Sequence, residues 1–456
     1  VVSELMHRTP GNTTLRTSVA EWMNSISNAF TKHNSLLERP TIDDQDRREV
    51  IDQLGLAFEH YRNCQHEQFV SSSVALSECV EFCKLAIRWL DHCISANKRS
   101  DGLHHGYNLI SFQTHTAHIH SLPEMLEGQV ATLASGLLSA HESADLLENI
   151  FESTLYRSDH DTFLLYPEKV IPSIIQKGII SPNECLENPI ISTALEAADT
   201  RLVERDARGE VRFSSGFRNR RDLEALLNTL SHEPTYQEIA ATHSEKTIDL
   251  YESIFNHHAF TGRSGGMYGY EGIGCTYWHM VAKLLVAAGE CFIHADAQGE
   301  NEDVLKRLAK AYHRIRDGLG FRRTAQQFGG IPIDAYSHTP AQRGAQQPGM
   351  TGQVKEELIT RRMELGVSFD DGKIRFNPRL LADEEWLRSP TTWSLPGEHA
   401  NTTDFSLEAN SLGFQCWGLP VVYHRVDGPA RIHLVSTEGT HTIEGHTIDG
   451  PTSNIV

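Results

Sequence analysis

Glu364-Leu365-Gly366-Val367, followed within a few residues by Lys373-Ile374-Arg375-Phe376, is where the periodicity of this chain changes and where its fold is decided. Upstream, apolar residues recur at spacings of three and four. Leu76, Val80, Cys83, Ile87 and Leu90 form one stripe, and Met125, Val130, Leu133, Leu137 and Leu138 form another, the signature of amphipathic helices. Further helices are expected near Thr13 to Phe30, Arg47 to Tyr61, Ala144 to Leu155, Glu168 to Gln176, Asp222 to Leu230, Tyr236 to Asn256, Tyr270 to Ile293, Asn301 to Asp317 and Gln353 to Met363. Downstream of Gly366 the pattern alternates: in Lys373 to Phe376, in Asp404 to Leu412 and in Arg431 to Ser436, with a β-branched and aromatic run from Gly418 to Arg425. Gly439 to Gly450 reads as two short strands around a glycine turn. The expected fold is mainly α: an (α/α) toroid of the six-hairpin type over residues 1–366, followed by a small β-sandwich-like domain over 367–456.

Length and charge bound the function. The chain has 456 residues, more than the roughly 300 at which a single core stops growing. With 41 basic and 60 acidic residues, its net charge of −19 repels a phosphate backbone, so nucleic acid is not an expected partner. The richest apolar stretch, Val281 to Ala288, is far too short to span a bilayer. The opening Val-Val-Ser-Glu-Leu-Met carries no apolar signal core and reads as a mature or trimmed form, or as a fragment lacking an N-terminal domain. The eight cysteines contain no Cys-x-x-Cys pair. Cytoplasmic is the default compartment, with secretion or the periplasm left open.

Three long segments between helices carry the chemistry-bearing residues, and long segments of this composition are usual places for function. In Asp101-Gly102-Leu103-His104-His105-Gly106-Tyr107-Asn108 a carboxylate, two imidazoles, a phenol and an amide lie together. Sugar hydroxyls are met by planar amide and carboxylate groups and pyranose faces by aromatic rings, so the stretch fits a saccharide subsite; it equally fits an Asp-Gly turn with surface histidines. His115, His118 and His120 follow without Cys or acidic ligands at a metal-binding spacing, and no metal is expected. The second segment, Thr261 to Gly274, holds six glycines together with Tyr268, Tyr270 and Glu271, and leads into Trp278 and His279. Glycines let a backbone approach a ligand closely. Glu271 is a candidate general acid or base, or compensates the dipole of the following helix. The Gly-Lys-Ser/Thr ending of a phosphate-binding loop is absent. The third, Tyr336 to Glu357, gathers His338, Arg343, Gln346, Gln347 and Thr351, donors and acceptors suited to hydroxyls or, through Arg343 and His338, to phosphate; they also suit bonding of the loop's own backbone.

The order of elements from Gly344 to Leu381, with Asp371-Gly372-Lys373-Ile374-Arg375-Phe376-Asn377-Pro378-Arg379-Leu380-Leu381, resembles the junction between catalytic barrel and C-terminal β domain in the cellobiose phosphorylase-like glycoside phosphorylases. The resemblance implies an (α/α)6 barrel acting on glycosidic bonds, normally preceded by an N-terminal β-sandwich. That family's catalytic aspartate lies in a Trp-Asn-Asp motif that this sequence does not contain, so no catalytic residue carries over, and Asp101 and Glu271 stand on local chemistry alone.

The expectation is an enzyme that cleaves or phosphorolyses glycosidic bonds of an oligo- or polysaccharide, without an organic cofactor and with inorganic phosphate as a candidate co-substrate. Asp101 or Glu271 would protonate the leaving oxygen. Tyr268, Tyr270 and Trp278 would supply stacking surface, and His104, His105, Tyr107, Asn108, His338, Arg343, Gln346, Gln347 and Thr351 would bind sugar or phosphate. Two alternatives stay open: a polysaccharide lyase, and a non-catalytic carbohydrate-binding or scaffolding part of a larger protein or homo-oligomer.

Overall fold

The computed structural model describes residues 11–64, 70–167, 173, 175–255, 275–319, 336–340, 347–348, 353–370, 372–396, 402–436 and 439–449. The chain separates into two compact units, Val1–Pro167 with Gly274–Val456, and Glu168–Ile273. The expected mainly-α class holds, with small antiparallel sheets throughout. No described helix is long and apolar enough to cross a membrane.

In the larger unit the core is built around helix Trp278–Gln298, which packs on Leu126–Ala134, Ala140–Glu152, Glu302–Gly318 and Gln353–Glu364. They lie near the positions that the 3.6-residue period predicts, with two corrected starts: the helix expected from Tyr270 begins at Trp278, Cys275–Tyr277 being a strand, and the one expected from Ala144 begins at Ala140. Ser139 opens Ala140–Glu152 with a capping box to Glu142. Asn301 caps Glu302–Gly318 by accepting from the amides of Asp303 and Val304. Gly299, at φ 73°, closes Trp278–Gln298 in the left-handed conformation that glycine adopts without strain. Leu126, Leu147, Ile150, Leu284, Leu285, Leu308 and Ile315 fill the space between these helices, all essentially inaccessible to solvent.

Several local expectations are corrected. The first helix begins at Thr17 (Thr17–Lys32), and Asn12–Arg16 is instead a strand paired antiparallel with Ser71–Ala75; Thr13 and Thr14 are β-branched and gain a partner strand there. The segment between Leu76–Ala96 and Leu126–Ala134 is not all loop. Asn108–Phe112 and Ala117–Ser121 form a hairpin in which Ile110 faces Ile119. Of the helix expected at Glu168 to Gln176, all but Ser173, Ile175 and Gln176 lie outside the described residues; Ile175 to Gly178 form turns. In the third long segment, Tyr336–Pro340 and Gln347–Pro348 are strands.

After Gly366 the chain becomes β. Val367–Asp370, Lys373–Phe376 and Thr447–Ile448 make one sheet, and three further hairpins follow: Thr391–Pro396 with Thr402–Leu407, Ser411–Cys416 with Leu419–His424, and Arg431–Ser436 with Gly439–Glu444. Gly366 has φ 65°, and a Cβ there would lie 2.0 Å from the Asn377 carbonyl oxygen, so glycine is obligatory at the switch from helix to strand. The β part is tied to the helices by Tyr423, which donates to the Leu365 carbonyl at 2.6 Å, and by Arg379, which bridges Asp296 and Glu302 at 2.8 and 2.7 Å.

The smaller unit carries its own core. Helices Pro182–Glu187, Pro189–Glu196, Arg220–Leu230 and Gln237–Phe255 pack with a sheet of Ile179–Ile180, Val211–Phe213 and Val203–Arg205. Ile190, Ile191, Leu202, Phe213, Leu223, Leu230 and Tyr251 lie at its centre. Buried Asn188 caps Pro189–Glu196 and donates to Thr247 at 3.0 Å, so a single amide side chain joins two helices across the core. This inserted unit was not separated in the sequence, where its apolar periodicity runs on from that of its flanks.

Candidate functional site

The turn after helix Leu76–Ala96 holds five of the expected site residues and folds back on itself. The amide of Arg99 donates to the Leu103 carbonyl at 2.8 Å and that of His105 to Asn97 at 2.9 Å. Gly102, at φ 80°, makes the reversal possible. Asp101 accepts from the Leu103 amide at 3.1 Å and from the Arg99 guanidinium at 2.7 Å. The Arg99 hydrogen bonds hold the Asp101 carboxyl below the usual carboxylate range, so it is ionised at neutral pH and donates a proton only where Arg99 is drawn away. Glu124, 3.1 Å from Arg99, offers a competing partner.

The remaining members of the cluster are bonded locally. His104 is buried; its amide donates to Gln129 at 2.9 Å and its carbonyl accepts from the Gln129 amide at 2.7 Å, and burial lowers its pKa, keeping the ring neutral. One His105 nitrogen lies 3.0 Å from the Leu122 carbonyl. Tyr107 donates to Glu127 at 3.0 Å with its ring largely exposed, and Asn108 donates to Asn97 at 2.8 Å. Close approach of Gly106 to Gly128, where a Cβ on Gly128 would lie 2.7 Å from the Gly106 Cα, seats the turn on helix Leu126–Ala134. The histidines of the hairpin turn elsewhere: His118 lies 2.5 Å from Asp44 and His120 3.1 Å from Ser111.

The second and third segments meet in a three-stranded sheet. Cys275–Tyr277 pairs with Tyr336–Pro340, which pairs with Gln347–Pro348. In this register Tyr277 is opposite His338, and His338 opposite Gln347, with an irregularity before His338. Two expected binding residues therefore share one backbone row. Trp278, next in the chain, is only 1% exposed and packs within the core. Tyr268, Tyr270, Glu271, Arg343, Gln346 and Thr351 lie outside the described residues.

Beside this row stands a constellation that the sequence did not single out. His279, in the first turn of helix Trp278–Gln298, has one ring nitrogen 3.3 Å from the Tyr277 hydroxyl and the other 3.3 Å from a carboxylate oxygen of Glu356. Glu356 is 4% exposed, and its second carboxylate oxygen is buried without a hydrogen-bond partner among the described residues. It belongs to an unusual helix. In Gln353–Glu364 the buried positions Glu356, Thr360 and Glu364 recur every four residues, whereas Val354 and Leu358 are exposed. A polar face turned inward is costly unless its groups are bonded. Glu364 accepts from the Tyr312 hydroxyl at 2.7 Å and from Arg361 at 2.8 Å, and pairs with Arg316. Burial pushes the Tyr312 phenol well above its usual range. The available signal was the Glu-x-x-x-Thr-x-x-x-Glu spacing, visible only once the helix is known to be inverted.

A phenol, an imidazole and a carboxylate in line can hold a proton and pass it along, the arrangement by which a base is oriented in nucleophilic and acid–base sites. Compared with known proteins, no curated protein matches this chain. Residues 171–258 match the family model described as GH149 phosphorylase insertion domain 2, and the match falls within the compact unit Glu168–Ile273. The relationship to glycoside phosphorylases, expected from the stretch around Gly366, is thus borne out by a different stretch, residues 171–258 of the inserted unit.

Proposed function

We propose that the protein is a glycoside phosphorylase, cleaving a glycosidic bond of an oligo- or polysaccharide with inorganic phosphate and releasing a sugar 1-phosphate. The observation that carries this reading is the coincidence of the phosphorylase insertion-domain match with a self-contained inserted unit. The junction around Gly366, where a helical part gives way to a run of hairpins, supports the finer architecture: helix pairs of 1–366 arranged as an (α/α) toroid, with 367–456 as a β-sandwich-like domain.

In such a reaction the phosphate oxygen bonds to the anomeric carbon as the glycosidic C–O bond breaks, and an acid gives its proton to the leaving oxygen. Phosphate is already ionised, so positioning matters more than deprotonation. His338 and Gln347, in one row beside Tyr277, with Arg343, Gln346 and Thr351, would bind phosphate and sugar. Glu271 is the preferred acid, because Arg99 keeps Asp101 ionised. Tyr268 and Tyr270 would stack on sugar. A cytoplasmic setting goes with this reading, since seven of the eight cysteines are free thiols.

A lyase is the second reading, and the Tyr277–His279 contact favours it, because a paired Tyr and His can serve as the base of a β-elimination. The discriminating experiment incubates the protein with a panel of oligosaccharides and polysaccharides, uronate-containing polymers included, with and without phosphate. Phosphate-dependent release of sugar 1-phosphate is expected. Reducing sugar released without phosphate would mean a hydrolase, new ultraviolet absorbance from an unsaturated uronate a lyase, and binding without any product a carbohydrate-binding module.

A further inference from the structure

We infer that Glu356 is a positioning residue: it fixes the ring of His279 so that the opposite ring nitrogen addresses the Tyr277 hydroxyl, making Tyr277–His279–Glu356 a proton-holding element of the carbohydrate site. The inference rests on the proposed function for its catalytic consequence, and on geometry alone for the arrangement itself.

Carboxylates are almost never fully buried without a partner, and leaving one unpaired carries a large desolvation penalty. Glu356 is buried, and among the described residues its close cationic or protonatable neighbours are His279 at 3.3 Å and the exposed Lys355 ammonium at 3.7 Å. A packing role would be filled more cheaply by an apolar residue, and exposed Val354 and Leu358 show that this helix carries apolar side chains but turns them outward. The carboxylate is therefore placed for what it does to the imidazole.

A carboxylate only accepts hydrogen bonds, so the His279 nitrogen facing it, Nε2, carries a proton. That leaves Nδ1, 3.3 Å from the Tyr277 oxygen, to accept from the phenol. Without Glu356 the ring is free to rotate or exchange tautomers, and the Tyr277 contact is no longer specified. Both contacts are long for hydrogen bonds, as is common for catalytic pairs before substrate tightens them. Both polar residues sit where rigid elements begin: His279 in the first turn of a 21-residue helix and Glu356 in the first turn of Gln353–Glu364. The far end of the latter is anchored by Glu364 on Tyr312.

The test has two arms on the full chain. In the first, ring nitrogens are observed in protein labelled with 15N-histidine, with His279 assigned by its loss in His279→Gln. The expected wild-type form carries its proton on Nε2, and Glu356→Ala shifts both His279 ring signals while Glu356→Gln, which keeps an acceptor, shifts them less. Unchanged His279 signals in Glu356→Ala overturn the inference, whatever reaction the protein catalyses. In the second arm, turnover is measured on the saccharide that gives sugar 1-phosphate. Glu356→Ala is expected to lower kcat about a hundredfold, the scale of a positioned acid–base group, with KM for saccharide changed by less than about threefold. Glu356→Ala added to His279→Gln should cost nothing more, because one residue acts through the other. Additive losses in that double mutant overturn it. Should the wild type release no sugar 1-phosphate, the functional reading fails while the spectra still decide the arrangement.

Discussion

Helices Trp278–Gln298 and Leu76–Ala96 have the same length, 21 residues, and comparable apolar content, yet the first buries eleven residues and the second two, Val80 and Trp89. The difference lies in their surroundings. Trp278–Gln298 is enclosed by four helices, whereas Leu76–Ala96 packs chiefly on Thr17–Lys32 and the strand before it. Ile87 and Leu90, two members of the apolar stripe that identifies the second helix in the sequence, are 53% and 61% exposed. A stripe at helical spacing thus specifies that a helix forms and which face is apolar, and leaves open whether anything covers that face.

Substitutions test the contrast directly. The largest loss is expected for Leu284→Ala, at a site 0% exposed between packed helices, where removing three carbons leaves a cavity and costs about 3–5 kcal/mol. Chemical denaturation followed by circular dichroism measures it; a cost below about 1 kcal/mol would mean that the helix is less enclosed than it stands here. On the sparser helix, Trp89→Ala should cost less, about 2–3 kcal/mol. Trp89 stacks on Phe30 with ring centres 5.0 Å apart, but its indole N–H is buried without a partner among the described residues, and removing that unsatisfied donor offsets part of the lost contact.

The same reasoning explains what the sequence made legible. Ser139, Asn301, and the residues at spacings of three and four announce helices locally, and the change of period at Gly366 announces the β part, because caps and periodicity act within a few residues. The start of the first helix was misplaced because Thr13 and Thr14 are claimed by a strand about 60 residues away, Ser71–Ala75. At the site, the cluster from Asp101 to Asn108 was visible as a cluster, but the use of its polar atoms was not: Glu124, Glu127 and Gln129 arrive from the next helix and its approach. His279 and Glu356 are 77 residues apart, and nothing in either neighbourhood names the other. The inserted unit was hidden for the converse reason, since its helices obey the same period as their flanks and only compactness separates them.

An electrostatic counterpart comes from the inserted unit, where a surface network adds to the unit's own apolar core. Arg201 hydrogen-bonds Asp199 and Glu233, each at 2.7 Å at its shortest, and holds the Asp199 carboxyl down to about 2. The unfolded value is about 3.9, so the folded pKa is depressed. The resulting stability is fully present above about pH 4 and is lost as the pH falls through about 2. Because Arg201 is half exposed, the contribution is of order 1 kcal/mol. Asp199→Asn should flatten the acid limb of the melting curve between about pH 4 and 2 and leave stability below pH 2 unchanged. An unaltered limb would assign the acid sensitivity to other carboxylates.

The smallest expected effect returns to the exposed stripe and is the sharpest check on the opening contrast. Leu90→Ala removes the same atoms as Leu284→Ala from a helix of the same length. Hydrophobic stabilisation scales with area withdrawn from water, and Leu90 keeps most of its area in water in the folded chain, so its truncation has little to lose. Alanine also has the higher helix propensity, which offsets a few tenths of a kcal/mol. The expected change is within about 0.5 kcal/mol of zero. A loss approaching that of Leu284→Ala would mean that Ile87 and Leu90 are covered in solution, and if that loss fell on dilution it would identify the cover as another chain.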